Sequence, residues 1–197
     1  MRLTEYYNII RTKLMIKKVR NKIDLSDISL ISMNCIGGTF YHDVGYKFLS
    51  PTINLFFTAS DFIKFVNNLD YYLSITPAVE MGDKYPIGTL DDIKIYFMHY
   101  DSCEEALKKW EERKNRLNLD KIFVIMVEQN GFAKDDFENF KKIKYPKILF
   151  VNKKEYLCED SVYFSKYENK DFLPDIIQGR RYYKGSKLIN SVRKAFE

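Results

Sequence analysis

The chain has few cysteines and no long apolar run. Its three cysteines, Cys35, Cys103 and Cys158, are an odd number and form no CxxC pair, which argues against a disulfide framework and a thiolate zinc site. No apolar stretch approaches the roughly 20 residues that span a bilayer, and no secretory segment is recognisable. The sequence therefore predicts a soluble protein of a reducing cytoplasm.

Common phosphate and metal motifs are also missing. Neither GxGxxG nor GxxxxGK[ST] occurs, so neither a dinucleotide fingerprint nor a P-loop is predicted. The two histidines, His42 and His99, form no HxH or HxxxH pair, and there is no DxD, so we expect no bound metal. Basic residues are not interleaved with aromatic residues in mid-chain, which disfavours nucleic-acid binding.

What is present suits one globular domain. Hydrophobic residues make up 46% of the 197-residue chain and aromatic residues 16%, enough for a sizeable core. The 15 tyrosines either pack the sheet or offer amphipathic surfaces suited to sugars or flat ligands. Strand-length apolar runs alternate with helical patterns. The predicted fold is α/β and Rossmann-like, with a single-domain sheet of about five to six largely parallel strands and helices on both faces.

The pattern also predicts individual elements. A helix begins at Ser60 or Asp61, another follows a capping box of Ser102 and Glu105, and the basic tail after about residue 175 ends in a helix. A short helix is expected near 134–141. Strands are expected at 27–33, 52–58, 93–99, 121–128 and 147–152.

Residues 1–24 are predicted to form a basic amphipathic helix beside an α/β domain of residues 25–197. The first 22 residues contain seven basic residues against one acidic residue, Glu5. A helix there would align the apolar side chains of Leu3, Tyr6, Ile10, Leu14 and Val19. Such a helix either packs on the domain or lies on anionic lipid, which would place the protein peripherally at the inner face of the membrane.

The segment "SMNCIGGTFYHDVGYKFLSPTINLF" (32–56) gathers varied polar residues directly after the first predicted strand. Ligands of parallel sheets bind at the carboxyl ends of strands, where Asn34 and Cys35 stand. Gly37 and Gly38 would either offer backbone amides to an anion or form a tight turn.

Cys35 is a candidate nucleophile, and the alternative is a small buried hydrophobe. A nucleophilic cysteine needs a nearby histidine, either His42, oriented by Asp43, or His99 at the end of its own strand. We therefore expect Cys35, His42 and His99 to line one concave site.

Further polar residues are candidates for substrate binding. Ser50 and Thr52 flank Pro51, which should mark the start of the second strand, and they either face the ligand or cap a turn. The remaining substrate-binding candidates are Asn34, Gly37, Gly38, Tyr41, Asn54 and Tyr100.

Two long segments carry a family resemblance. "NCIGGTFYHDVGYKFLSPTINLF" and "YPIGTLDDIKIYFMHYDSCEEALKKWEERKNRLNLDKIFVIM" resemble an uncharacterised bacterial family labelled exopolysaccharide or capsule biosynthesis protein, over roughly residues 25–185. The resemblance implies a pathway, surface-polysaccharide assembly. The Asn34-Cys35 pair is also similar to that of a coenzyme A-binding capsule acetyltransferase family, with Ile36 where that family has Gln, and implies acyl transfer by a Cys working with a His.

The expected function is a transferase that modifies a sugar or polysaccharide precursor, by O-acylation from an acyl-coenzyme A. Cys35 or a His-activated sugar hydroxyl would attack the donor, with His42 or His99 as base and the Gly37 and Gly38 amides holding the oxyanion. Arg180 and Arg181 would meet donor phosphates. The alternatives are a metal-independent glycosyltransferase that uses a nucleotide-sugar, and a non-catalytic scaffold held at the membrane.

Overall fold

The computed structural model describes residues 3–196 as a mixed α/β fold with two separate sheets. The strands are β1 (Ser29–Ser32), β2 (Ala78–Met81), β3 (Pro86–Leu90), β4 (Ile93–Tyr96), β5 (Ile122–Val127), β6 (Lys147–Val151) and β7 (Ser161–Tyr163). The α-helices are α1 (Leu3–Arg20), α2 (Ile36–Val44), α3 (Ala59–Asn67), α4 (Leu69–Ser74), α5 (Cys103–Lys114), α6 (Lys134–Lys141) and α7 (Lys187–Phe196). Segments of 3₁₀ geometry cover Lys154–Tyr156, Ser165–Tyr167 and Gln178–Ser186.

The larger sheet is parallel and has the strand order β1-β5-β6-β7. Every residue of β5 is buried, as expected of a strand covered on both faces. Alternate side chains of β5 join two different hydrophobic clusters: Val124 and Met126 pack with α3, α5 and α6, whereas Phe123 and Ile125 pack with α2 and α7. The predicted α/β class and the parallel sheet are confirmed.

The prediction of one sheet with five to six strands is wrong, because β2, β3 and β4 form a separate antiparallel sheet. Leu90 pairs with Ile93, so only Asp91 and Asp92 connect β3 to β4, and Asp91 has a φ of 53°. Neighbouring strands joined by so short a turn pair antiparallel, whereas a parallel partner requires a crossover of a dozen or more residues. The short connection therefore makes β4 an antiparallel partner of β3, in a sheet separate from the parallel one.

The expected strand at 52–58 does not form. Asn54 lies in the left-handed region with a φ of 63°, which breaks the extended run. Only Phe56 makes a bridge, exchanging two backbone hydrogen bonds of 2.9 Å with Tyr96. The next residue, Phe57, donates its N–H to the carbonyl of Met33 at 3.0 Å. The segment thus links the smaller sheet to the end of β1.

The helix boundaries follow their capping residues. Thr58, rather than Ser60 or Asp61, caps α3 by accepting the Asp61 N–H at 3.2 Å. Ser102 caps α5 by accepting the Glu105 N–H at 3.1 Å, as predicted. The helix expected at 134–141 coincides with α6.

The N-terminal helix α1 packs against α2 through its last turn. Val19 is buried, whereas Tyr6, Ile10 and Leu14 are 54%, 41% and 65% exposed. Among the described side chains of the expected apolar stripe, only Val19 is therefore covered, and the boundary at residue 24 stays a prediction. Within residues 3–196, no helix combines the length and apolarity needed to cross a membrane. Arg2 and the side chains of Leu3, Glu5, Arg11 and Lys18 lie outside what the structure describes.

Candidate functional site

A cavity of about 550 Å³ lies where β1 and β5 end. Asn34 and Cys35 follow β1, and Gln129 and Asn130 follow β5, so the carboxyl ends of two neighbouring parallel strands contribute to it. The other lining residues are Thr39, Asn54, Phe56, Met98, His99, Asp175 and Ile177. We call this space the polar cavity.

Asn34 ties the two strand ends together. Its Oδ1 accepts the N–H of Ile36 at 3.1 Å, which starts α2, and its Nδ2 donates to Oε1 of Gln129 at 3.2 Å. The amide of Gln129 in turn donates to the carbonyl of Leu173 at 2.6 Å. Each amide keeps further donor and acceptor capacity for a ligand, because a side-chain amide carries two N–H groups and two lone pairs.

Cys35 stands at the N-terminal boundary of α2 and is half-buried. Its Sγ lies 3.9 Å from the carbonyl oxygen of Leu55, to which the thiol donates. Burial raises the pKa of the Cys35 thiol to about 11, and the nearby carboxylate of Asp175 acts in the same direction. The environment therefore favours the neutral thiol over the nucleophilic thiolate.

His99 follows β4 and reaches the polar cavity from the smaller sheet. The residue is exposed, and its imidazole makes no hydrogen bond to any other residue of the described chain. Both ring nitrogens are thus accessible to a ligand. The expected convergence of Cys35 and His99 from distant parts of the sequence is seen in this cavity.

A family model described as "Domain of unknown function (DUF1919)" matches residues 6–195. The chain belongs to this family. A Haemophilus influenzae protein described as an uncharacterized protein is 31% identical over 174 residues, which cover 85% of this chain and 84% of the relative. The matched DUF1919 region includes every residue of the polar cavity, and neither description names an activity.

His42 and Asp43 of the DUF1919 chain lie apart from the polar cavity. His42 is seven residues beyond Cys35 on α2, about 10 Å along the helix axis. Its side chain is 76% exposed, with Nδ1 at 3.6 Å from Oδ1 of Asp43. The expected site of three side chains is therefore wrong for His42: the structure brings together only Cys35 and His99.

Asp43 is fully buried and holds the C-terminal segment instead. Its carboxylate pairs with the guanidinium of Arg180, with one contact of 2.7 Å from Nη2 to Oδ1. It also accepts the hydroxyl protons of Tyr182 at 3.2 Å and Tyr183 at 3.1 Å. Arg180 has a φ of 55°, so these contacts fix a backbone conformation that arginine seldom adopts.

Gly37 and Gly38 form part of α2 rather than a turn, and both are buried against other side chains. The N–H of Gly37 donates to Oγ of Ser32 at 3.2 Å, so this amide is already occupied. A Cβ on Gly37 would lie 2.8 Å from Cβ of Ser32. Gly37 lets α2 approach β1 closely, Gly38 lets it approach Ile53, and neither glycine lines the polar cavity.

Tyr41 and Tyr100 are buried, and both bond to the backbone. The hydroxyl of Tyr41 accepts the N–H of Leu30 at 3.0 Å and donates to the carbonyl of Ile28. The hydroxyl of Tyr100 donates to the carbonyl of Ile53 at 2.9 Å. Both tyrosines therefore brace the backbone near the site without lining the cavity.

Ser50 and Thr52 lie beside Ser32 in the interior. Thr52 Oγ1 accepts the N–H of Ser32 at 2.9 Å, and the hydroxyls of Ser50 and Thr52 are 2.9 Å apart. These contacts satisfy the backbone at the end of β1. Among the substrate-binding candidates, the polar cavity contains only Asn34 and Asn54.

Some residues of the cavity could have been found by the rule that identified Asn34. Gln129 and Asn130 come after the buried run 122–127, separated from it only by Glu128, so they stand at a strand end too. Asn130 also has a positive φ of 52°, and its Nδ2 donates to the carbonyl of Phe57 at 3.1 Å. No local pattern marks the remaining lining residues missed from the sequence, which are Thr39, Phe56, Met98, Asp175 and Ile177.

The side chains that could bind a metal ion do not cluster in the part of the chain that the structure describes. Within residues 3–196, no three side chains of His, Cys, Asp or Glu come together in a way that could hold one.

Proposed function

We propose that the protein is a transferase that modifies a sugar in surface-polysaccharide biosynthesis, with the acceptor sugar in the polar cavity. The observation that carries the proposal is the cavity lining: side-chain amides from two strand ends beside a partly exposed aromatic ring. Sugar hydroxyls both donate and accept hydrogen bonds, as do the amides of Asn34, Asn54, Gln129 and Asn130. The resemblance of residues 34–56 and 85–126 to a family labelled exopolysaccharide or capsule biosynthesis protein supports this pathway.

The apolar wall of the cavity suits the C–H face of a sugar ring. Phe56 stacks on Tyr96 with ring centroids 4.7 Å apart and planes 9° from parallel, so its orientation is fixed. Met98 adds an adaptable apolar surface beside it. Within the described chain, neither lysine nor arginine lines this cavity, which favours a neutral ligand over a phosphate.

His99 is the proposed general base. Its imidazole would remove the proton from an acceptor hydroxyl as that oxygen forms a bond to the donor's electrophilic carbon. The bond from that carbon to the donor's leaving group then breaks, directly in glycosyl transfer and by collapse of a tetrahedral intermediate in acyl transfer, and the leaving group takes the electron pair. The carboxylate of Asp175 can accept a hydrogen bond from a neighbouring hydroxyl and so orient the ring.

The high pKa of Cys35 supports direct attack by the hydroxyl rather than a covalent acyl-cysteine. O-acylation and glycosyl transfer share this step and differ in the donor. In the first the leaving group is the thiolate of coenzyme A, and in the second it is a nucleoside diphosphate. The acyl reaction is the first candidate because of the Asn34-Cys35 resemblance, and metal-independent glycosyl transfer is the second.

A release assay tests the proposal. The protein is incubated with acetyl-coenzyme A or with UDP- and GDP-sugars, each with a panel of hexoses, N-acetylhexosamines and uronic acids. Liberated coenzyme A thiol is measured with a thiol reagent, and liberated nucleoside diphosphate with a coupled enzyme assay. Acceptor-dependent release from one donor class supports the transferase. No release above the acceptor-free rate, together with no saturable sugar binding by NMR, would contradict it.

Exposed apolar side chains on α1 support a further role as a peripheral membrane protein. Tyr6, Ile9, Ile10 and Leu14 are each more than 40% exposed on a helix that also presents Lys13 and Lys17 to solvent. Anionic lipid would cover the apolar side chains and attract the basic ones. In the alternative function, a non-catalytic scaffold, the same helix would hold the protein in a membrane-bound assembly.

A further inference from the structure

A second cavity of about 630 Å³ lies between the 3₁₀ turn after β7 and the kinked segment Gln178–Ser186. Four of its lining side chains are basic, Lys166, Arg180, Arg181 and Lys184, and none of its lining residues is acidic. Three aromatic residues, Phe164, Tyr167 and Tyr183, complete its walls. We call this space the basic cavity.

The positive charge of the basic cavity is largely unneutralised. Asp43 balances Arg180, but Arg181 and Lys184 donate only to backbone carbonyls, those of Asp175 at 3.4 Å and Tyr163 at 2.5 Å. Within residues 3–196, Lys166, Arg181 and Lys184 form no ion pair with a carboxylate. Three cations around one concave, partly apolar space attract a ligand that carries two or more negative charges.

The aromatic walls suit a planar group next to that charge. Tyr167 is half-buried and its ring centroid lies 6.4 Å from that of Phe164, so the ring is braced on one side. The Nζ atom of Lys166 lies 5.9 Å from the Tyr167 ring centroid, and Nζ of Lys184 lies 4.9 Å from that of Phe164. Nucleobases stack on such rings while Arg and Lys bind the attached phosphates.

The two cavities adjoin through one short stretch of chain. Ile177 lines the polar cavity and Gly179 lines the basic cavity, and Cα atoms two residues apart are separated by at most about 7 Å. Arg181 of the basic cavity also donates a hydrogen bond to the backbone carbonyl of Asp175, and Asp175 lines the polar cavity. The linings of the two cavities therefore adjoin along residues 175–181, and His99 lines the polar one.

We infer that the basic cavity binds a nucleoside diphosphate group, the part that coenzyme A and nucleotide-sugars have in common. Assigning this group to the donor rests on the proposed function, whereas the binding itself does not. The diphosphate contacts Arg181, Lys184 and Lys166, and the base stacks on Tyr167. Asp43 is a positioning residue, because it holds Arg180 and Tyr183 in the cavity wall.

Calorimetric titration with ADP, UDP, inorganic pyrophosphate and coenzyme A tests the inference without an acceptor. We expect ADP and UDP to bind saturably, and more tightly than pyrophosphate. An Arg181→Ala/Lys184→Ala variant should raise Kd at least about tenfold, because charge-assisted hydrogen bonds are lost. Tyr167→Leu should weaken ADP binding but not pyrophosphate binding. Lys170→Ala, which removes an exposed lysine outside the cavity, is the matched control and should bind as the wild type does.

Each outcome of the titration decides something. Absence of saturable ADP and UDP binding at millimolar concentration, equal affinity for pyrophosphate and ADP, or unchanged binding by the double variant would overturn the inference. Tighter binding of coenzyme A than of UDP assigns the site to an acyl donor, and the reverse order to a sugar donor. If the diphosphates bind as expected but no sugar is modified in the release assay, the nucleotide site stands and the proposed function fails.

Discussion

Asp43 of α2 and Arg180 of the C-terminal segment form a buried two-point ion pair across 137 positions of sequence. The carboxylate is fully buried and the guanidinium side chain is 21% exposed, so the pair lies largely out of water. It fastens a kinked segment that has little regular backbone bonding of its own to the helix that follows β1. The wall shared by the two cavities therefore depends on this contact.

Replacing Asp43 by Asn should lower the free energy of unfolding by about 3–5 kcal/mol, since it leaves the guanidinium of Arg180 without its anionic partner. Urea denaturation followed by circular dichroism measures the loss. Glu138→Gln, which breaks an exposed pair with Lys141 on α6, is the control and should change stability little. Equal stability of Asp43→Asn and wild type would mean that the pair does not hold the segment.

Alkylation of Cys35 should depend steeply on pH. With a thiol pKa of about 11, raised first by burial and then by Asp175, few molecules carry the thiolate near neutrality. At pH 8 the reactive fraction is about one in a thousand. In a Cys103→Ser/Cys158→Ser background, the rate with iodoacetamide should rise with pH up to about 11.

The same experiment separates the two interpretations of Cys35. A neutral, buried thiol predicts that Cys35→Ser keeps transferase activity within a fewfold of wild type. An alkylation midpoint below pH 8, together with loss of activity in Cys35→Ser, would support the interpretation of Cys35 as a nucleophile.

The two histidines provide a matched pair of variants. His99→Ala should lower kcat by about 10²–10⁴-fold while acceptor binding changes little, since it removes the proposed general base. His42→Ala removes an exposed imidazole outside the polar cavity and should keep wild-type kcat. Steady-state kinetics with saturation-transfer NMR on the acceptor separates kcat from binding. Equal losses in both variants would point to a general effect on the fold.

The approach of α2 to β1 should be sensitive to one methyl group. Gly37→Ala places a Cβ 2.8 Å from Cβ of Ser32, close to the strand backbone, and should cost about 1–3 kcal/mol of stability through overpacking. Gly38→Ala meets the Cγ2 methyl of Ile53 at 3.2 Å, and that side chain can shift. The midpoint temperature of thermal unfolding should be lower for Gly37→Ala than for Gly38→Ala. The opposite order would contradict the close packing at Gly37.

Co-sedimentation with phosphatidylglycerol vesicles tests the role of α1. Leu14 is 65% exposed, so Leu14→Glu removes apolar area and adds a negative charge on the helix that would face the lipid. We expect the wild type to pellet with the vesicles and Leu14→Glu to stay in solution. Leu119→Glu alters a leucine that is 51% exposed elsewhere and should pellet like the wild type. A wild-type protein that remains in the supernatant would exclude the membrane contact.

The sequence predicted elements whose signals are local. The buried run of β5 and the capping side chain of Ser102 depend on neighbouring residues, and each was located from those residues alone. The strand expected at 52–58 failed because Asn54 takes a left-handed conformation as the segment crosses between sheets. The division of the strands into two sheets depends on the pairing between strands. The periodicity of apolar residues along the chain does not encode that pairing.

The candidate site was predictable where it coincides with strand ends. Asn34 and Cys35 follow a predicted strand, His99 ends another, and all three line the polar cavity. His42 and Asp43 are close in sequence to that signal, but they lie about two turns beyond Cys35 on α2, and neither lines the cavity. Asp175 and Ile177 arrive from the end of the chain through long-range contacts, and no local pattern indicates them.

The position of the wall between the two cavities has a consequence for synthesis of the protein. All the strands precede residue 164 in the chain, whereas Asp175, Ile177, Arg181 and Lys184 come after it. A ribosome therefore makes both sheets before either cavity is complete. The polar cavity gains its last lining residue with Ile177 and the basic cavity with Gly185, so a product released before Asp175 would carry both sheets without either complete cavity.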